Sequence, residues 1–238
     1  MRHSSLLAIL AKVVLAVSAA LWGFLPHVAA AAGVAVVPGA VLAPVAPGAV
    51  VRPYERSGLR LASRLTDGYG RPVAGATVQV LQRVQGQAGW ALVGTAVTGL
   101  DGGFVAVVAP GPSRTIDLAY GPVEGGVFVA QAEVFETVQA ELSLQASPVR
   151  TGPEGSVTLE GRVMGDVPAG GVVVEVLVYY QGGWQPIRTP RSDGRGRVRV
   201  AYRFHQAYGR FPFRLRVRRG QIGFPYGDGV SRWVEVDT

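Results

Sequence analysis

The chain has 238 residues, a formal net charge of +7 and no cysteine. Without cysteine there is no disulfide framework, so stability in an oxidising compartment must come from buried apolar surface, which about 200 residues supply as two domains of ordinary size. Asparagine is absent, the one lysine is Lys12, and Gly, Ala, Val, Pro and Arg dominate. Codon bias in a GC-rich bacterial genome produces such usage, so the basic balance informs only through where the arginines sit.

At the N-terminus Arg2 and Lys12 precede the apolar run Val13 to Leu25, and small residues around Ala29 to Ala32 follow. That layout predicts a secretory signal peptide over residues 1–32. The alternative is an uncleaved N-terminal anchor, because Leu6 to Leu25 approaches the roughly 20 apolar residues that span a bilayer. No second apolar stretch of that length follows, so no membrane span is expected after the signal, and the chain is expected to be secreted or associated with the cell envelope. Residues 33–54 carry Pro38, Pro44, Pro47 and Pro53 among Ala, Val and Gly, and read as an extended linker.

Beyond the linker, short alternating stretches recur between Gly and Pro punctuation, which predicts an all-β fold of sandwich type. Val138, Ala140, Leu142 and Leu144 alternate with Gln139, Glu141, Ser143 and Gln145; Val198, Val200, Tyr202 and Phe204 alternate with Arg197, Arg199 and Arg203. Half-buried strands show this period of two.

An internal repeat divides the region. Leu61-Ala-Ser-Arg-Leu65 corresponds to Leu159-Glu-Gly-Arg-Val163, and Gly75 to Leu81 corresponds to Gly171 to Leu177. Each half continues with a Gly-Trp pair, Gly89-Trp90 and Gly183-Trp184, and an Asp-Gly turn, Asp101-Gly102 and Asp193-Gly194. A period of about 95 residues fits two whole domains rather than a solenoid. The expected organisation is two tandem β-sandwich domains, at 55–146 and 147–238, following the signal helix and linker.

The first half resembles bacterial carboxypeptidase-regulatory-like domains, which are prealbumin-like or immunoglobulin-like sandwiches. The resemblance rests on Leu65-Thr-Asp-Gly-Tyr-Gly-Arg-Pro-Val-Ala-Gly-Ala-Thr-Val-Gln-Val80, on Asp101-Gly-Gly-Phe104 and on Pro112 to Tyr120. In that family the turn joins two strands, with Gly allowing the bend and Val and Ala dropping into the core. The second half departs from the pattern, having Val167-Pro-Ala-Gly-Gly171 at the turn, and resembles immunoglobulin-like domains more generally. The resemblance implies an accessory extracellular module without catalytic residues.

The residue inventory points the same way. Beyond the signal only His205 remains as a histidine, with no Cys and no Lys, so most acid–base and nucleophilic constellations cannot be assembled. No cofactor and no metal ligand set is expected: the glycines punctuate strands instead of opening a phosphate cradle, and no loop has the alternating ligands of a calcium site. Several acids, including Asp67, Asp193 and Asp228, occupy turns for backbone reasons.

Charge is unevenly distributed. Residues 53–146 hold six Arg against eight acids, and residues 147–238 hold fourteen Arg against eight. Arg197, Arg199 and Arg203 alternate with core residues on one predicted strand, and Arg214, Arg216 and Arg218 on the next. A hairpin through residues 205–209 would put both rows on one outer face. That face is either solvated or a grip for an anionic polymer, such as a cell-wall polyanion or an acidic polysaccharide, with nucleic acid the least favoured. Trp90, Trp184, Tyr179 and Tyr180 suit either packing or glycan stacking. Tyr226, in the loop Gly223 to Gly229, is the aromatic expected to touch a partner, which is a polyanion, a glycan or another envelope protein.

Overall fold

In the computed structural model the described residues are 36–238, except 44, 46–47, 55–56 and 123–126. The expected signal segment lies outside them. Every regular element among the described residues is a strand, and no helix there is long and apolar enough to cross a membrane.

The first sandwich comprises β1 (Val41–Leu42), β2 (Ala49–Arg52), β3 (Leu59–Thr66), β4 (Thr77–Val84), β5 (Ala91–Val97), β6 (Gly103–Val108), β7 (Arg114–Pro122) and β8 (Phe128–Val138). The second comprises β9 (Leu142–Ser147), β10 (Ser156–Val163), β11 (Val174–Tyr180), β12 (Gly183–Arg188), β13 (Arg197–Arg203), β14 (Arg210–Val217), β15 (Gly229–Val230) and β16 (Val234–Asp237). A sheet β1-β3-β6 faces β2-β8-β7-β4-β5, and a sheet β9-β10-β13 faces β12-β11-β14, with β15 and β16 both paired to β14. Among the described residues every strand-to-strand ladder is antiparallel except β2 with β8; the isolated bridges Gln139–Gly227 and Arg150–Asp237 are also parallel.

Period-two alternation decides which side chains enter each core. In the first, Leu59, Leu61 and Leu65 of β3 meet Ile116 and Leu118 of β7, with Val78 and Val80 of β4 beside them. In the second, Val157 and Leu159 of β10 meet Phe213, Leu215 and Val217 of β14. Val73 and Ala76 of the turn before β4 are buried, as the side chains of that turn were expected to be.

Within the stretch expected as linker, β1, β2 and residues Ala40 and Val45 pack with the first sandwich. Ala40, Leu42 and Val45 enter its core, Ala43 N–H donates to Arg64 C=O (2.9 Å), and Ser63 Oγ donates to Ala43 C=O (2.7 Å). Proline spacing suggested an open chain, but the intervening Val and Leu residues gain more from burial than proline removes from the edge ladder. At the other end Val138, Ala140 and Leu142 contribute to the second core, ahead of residue 147.

The repeat is visible in hydrogen bonds. Ala76 N–H donates to Thr98 Oγ1 (2.9 Å), and Val172 N–H donates to Ser192 Oγ (3.0 Å). Leu65 N–H donates to Gly102 C=O (2.9 Å) and Val163 N–H to Gly196 C=O (2.8 Å). Both glycines have φ of +76°, a left-handed conformation that costs a side-chain-bearing residue.

Candidate functional site

The two arginine rows lie on opposite faces of the second sandwich, not on one face of a hairpin. β13 pairs with β10, and β14 pairs with β11 in the facing sheet. The physical reason is the apolar half of each strand. Tyr202 and Phe204 point inward from one sheet and Phe211 and Phe213 from the other, with Tyr202–Phe213 ring centroids 5.6 Å apart and Phe204–Phe211 centroids 5.3 Å apart. Crossing the sandwich buries both apolar rows in one core, whereas a hairpin would leave them side by side on one wall. His205 lies in this crossing, exposed, with Nδ1 3.9 Å from the Glu154 carboxylate.

On the three-stranded face, Arg199 is 3.4 Å from Glu160 and Arg203 is 3.9 Å from Glu154. Arg197 sits directly across from Arg162 in the β10–β13 register. On the opposite face Arg216 Nε donates to Glu175 Oε2, and Arg218 Nε lies 3.4 Å from the same carboxylate. The hydrogen bond from Arg216 is the main reason the Glu175 carboxyl is held below its ordinary range; the charges of Arg216 and Arg218 add to it against the effect of burial.

Arg214 takes a different partner. Its guanidinium carbon lies 4.0 Å from the centroid of the Trp184 ring, whose other neighbour is Tyr179, edge-on at 5.4 Å. Desolvation lowers the Arg214 pKa, with the nearby charge of Arg216 adding to it. The first sandwich repeats the motif with Arg83 over Trp90 at 4.8 Å. The repeated Gly-Trp position thus presents a ring with one face already covered by an arginine.

Tyr226, expected at the surface, is buried at 3% exposure. Asp166 N–H donates to its hydroxyl (3.2 Å), and its ring packs on Tyr54 and Phe224. Burial is the main cause that pushes its phenol above the ordinary range. The loop around it is the joint of the molecule. Ser113 N–H donates to Pro225 C=O (2.8 Å), Gly227 N–H to Val138 C=O (2.8 Å) and Ala140 N–H to Gly227 C=O (3.4 Å). Gly and Pro mark a loop in sequence; they do not reveal that its aromatics fill a gap between two cores.

The ion pair Arg114–Glu136 was not anticipated from the sequence. The two are directly opposed on β7 and β8, with Arg114 Nε 2.7 Å from Glu136 Oε2 and side chains 3% and 2% exposed. Gln82 Oε1 and Ala109 C=O accept from the other guanidinium nitrogens at 2.8 and 2.6 Å, and Arg52 lies 3.3 Å from Glu136. Both fall on the inward positions of their strands, in phase with Ile116 and Val134, and charge at a core position is the signal that marks them.

The turn carboxylates serve the backbone as expected. Asp67 Oδ1 accepts from Tyr69 and Arg71 N–H, each at 2.9 Å, and Asp193 Oδ1 accepts from Arg195 and Arg197 N–H at 2.9 and 2.8 Å. Hydrogen bonds from the Arg71 and Arg197 main chains, respectively, are the largest influences lowering the pKa values of the two acids. Among the described residues no group of three acidic or histidine side chains is arranged to hold a metal ion.

No family model matches the chain, and no curated protein matches it. Solved structures similar to it include the adhesin InvE of Yersinia pseudotuberculosis, at 17% identity and a TM-score of 0.37 over 84% of this chain and 58% of that one. A tetra-tandem repeat from the extending region of a large adhesion protein matches at 12% identity and a TM-score of 0.42, over 84% of this chain and 48% of that one. The Escherichia coli adhesin FdeC matches at 14% identity and a TM-score of 0.36, over 84% and 64%. The chain therefore spans between about half and two thirds of the length of each of these structures.

Proposed function

We propose that the chain is a non-catalytic secreted or cell-envelope module with a structural, adhesive or interaction role, its two sandwiches acting as one rigid spacer. The observation that carries this reading is the joint. Main-chain hydrogen bonds from Ser113 to Pro225 and from Gly227 to Val138, the last residue of β8, tie the two halves, and Tyr54, Phe224 and Tyr226 pack together beside them. A joint built from paired backbone and buried rings resists hinge motion, in contrast to a polar linker. The role of the carboxylates supports a non-catalytic reading: Asp67 and Asp193 hold turns and Glu136 is bound to arginine. The likeness to carboxypeptidase-regulatory-like domains rests on the turn from Leu65 to Val80 and is consistent with an accessory role.

One observation favours a second reading, an anionic polymer held on the three-stranded face. Arg162 and Arg197 are directly opposed there, with Arg199 and Arg203 on the same side. Like charges across a sheet repel by a fraction of a kcal/mol, on the order of 0.2–1 kcal/mol, which a polyanion would relieve.

The test has two arms. Antibody labelling of intact producing cells and of their culture medium reads location: labelling in either supports the module, and confinement to the cytosol overturns it. Binding of the chain to cell-wall polyanion and to neutral glycan at low and moderate salt separates the readings. A steep loss with salt, abolished by changing Arg162, Arg197, Arg199 and Arg203 to Ser, favours the polyanion. Absence of such binding leaves the spacer.

A further inference from the structure

A groove of about 410 Å³ lies over the end of the five-stranded sheet in the first sandwich, bordered by the ends of β4, β7 and β8 and by the turn that follows β4. That volume is in the range, roughly 300–1,000 Å³, of sites that take small molecules. The strand register sets its lining. Phe135 of β8 is opposite Thr115 of β7, and Thr115 is opposite Arg83 of β4. All three are out of phase with Ile116 and Val134, which enter the core, so they form one row on the outer face. Arg83 in turn lies over the Trp90 ring at 4.8 Å. The row therefore begins and ends on an aromatic ring, Phe135 at 53% and Trp90 at 39% exposure, with backbones about three strand spacings, roughly 14 Å, apart.

The polar groups of the groove are uncharged and unused. Among the described residues the side chains of Gln85, Gln87, Thr115 and Thr137, which line it, make no hydrogen bond within the protein. The charges nearby are already engaged: Arg114 and Glu136 hold each other, and the Arg83 guanidinium rests on Trp90. β4, β7 and β8 each have a strand on both sides. Their main-chain groups are spent on the sheet, so an added peptide strand has no free edge to pair with here. A sugar chain matches what is left, because its C–H faces stack on exposed rings and its hydroxyls both donate to and accept from amides and hydroxyls.

We infer that this groove binds an uncharged oligosaccharide, with sugar faces on Phe135 and on the uncovered side of Trp90, and hydroxyls on Thr115, Thr137, Gln85 and Gln87. The site is separate from the arginine face of the second sandwich. It rests on the interaction role proposed above only for where the ligand is met, and its loss would leave the rigid spacer standing.

The full chain tests it on an array of neutral glucan, mannan, galactan and chitin fragments, followed by titration calorimetry of the fragment retained best. Binding should be unchanged between low and moderate salt, because no charge is neutralised. F135A should weaken it by about tenfold or more, as truncation of a central aromatic contact does. Q85A/Q87A, which removes two side-chain hydrogen bonds, should weaken it by about tenfold. The variant with Arg162, Arg197, Arg199 and Arg203 changed to Ser should bind like wild type. Retention of no fragment, binding that falls steeply with salt, binding equal in wild type and both groove variants, or binding lost in the four-arginine variant overturns the inference. Should F135A fail to fold, Q85A/Q87A decides alone, since both of its side chains are exposed. Confinement of the chain to the cytosol would overturn the module reading and leave the groove's chemistry as measured.

Discussion

Tyr54, just past the end of β2, and Tyr226, in the loop before β15, lie with ring centroids 5.9 Å apart and planes tilted by 49°. The contact brings residues far apart in the chain into one buried cluster, and Tyr54 packs against the second core although β2 belongs to the first sheet system.

Y226A removes the ring and leaves a cavity in the joint, so it should cost about 3 kcal/mol or more in denaturant unfolding. Y226F keeps the ring and loses the bond from Asp166 N–H, and should cost only about 1 kcal/mol. Equal effects would mean that the hydroxyl, not the packing, holds the joint.

R114L strands Glu136 in the first sandwich with Arg52 as its remaining ionic partner, at 3.3 Å. Breaking a buried pair from one side costs about 3–5 kcal/mol. The double variant R114L/E136L should recover much of that loss, which a double-mutant cycle on chemical melts measures directly.

At Gly102 an added Cβ would lie 2.4 Å from Leu65 C=O, and at Gly196 it would lie 2.2 Å from Val163 C=O. G102A and G196A should therefore each destabilise by about 2 kcal/mol, because the left-handed backbone and the close carbonyl both resist a side chain. Similar losses at the two positions, read from thermal melts, would establish the turn as the same device used twice.

Asp117 is 2% exposed and accepts at Oδ2 from Gln131 Nε2 (2.6 Å). Burial is the main cause that pushes its carboxyl above the ordinary range. A carboxyl raised on folding stabilises below its unfolded pKa, and that contribution is lost as pH rises through the folded value. D117N mimics the protonated form, so it should be more stable than wild type near pH 7 and converge with it on acidification. A constant difference at every pH would contradict this origin.

Much of the fold was legible because alternation is a local signal. The inward set Val157, Leu159 and Val163 and the inward set Val198, Val200 and Tyr202 could be read from spacing alone, as could the repeat. Pairing was not legible: adjacency of β13 and β14 suggests a hairpin, and only the aromatic cluster of Tyr202, Phe204, Phe211 and Phe213 makes crossing the better burial. The burial of Tyr226 was not legible for a related reason, since a Gly- and Pro-rich loop reads as exposed until the second surface that covers it is known. Arg114 and Glu136 were readable in principle, as charges in phase with core residues, but each makes sense only when paired with the other.

The claim that the two sandwiches form one rigid module is tested most directly by spin-label distance measurement on T77C/S156C, one site in each sandwich, diluted with unlabelled chain. A single narrow distance distribution, unchanged between low and high salt and broadened by Y226A, is the expected result. A broad or multiple distribution in the otherwise wild-type chain would contradict a rigid joint and make the pair two independently moving domains.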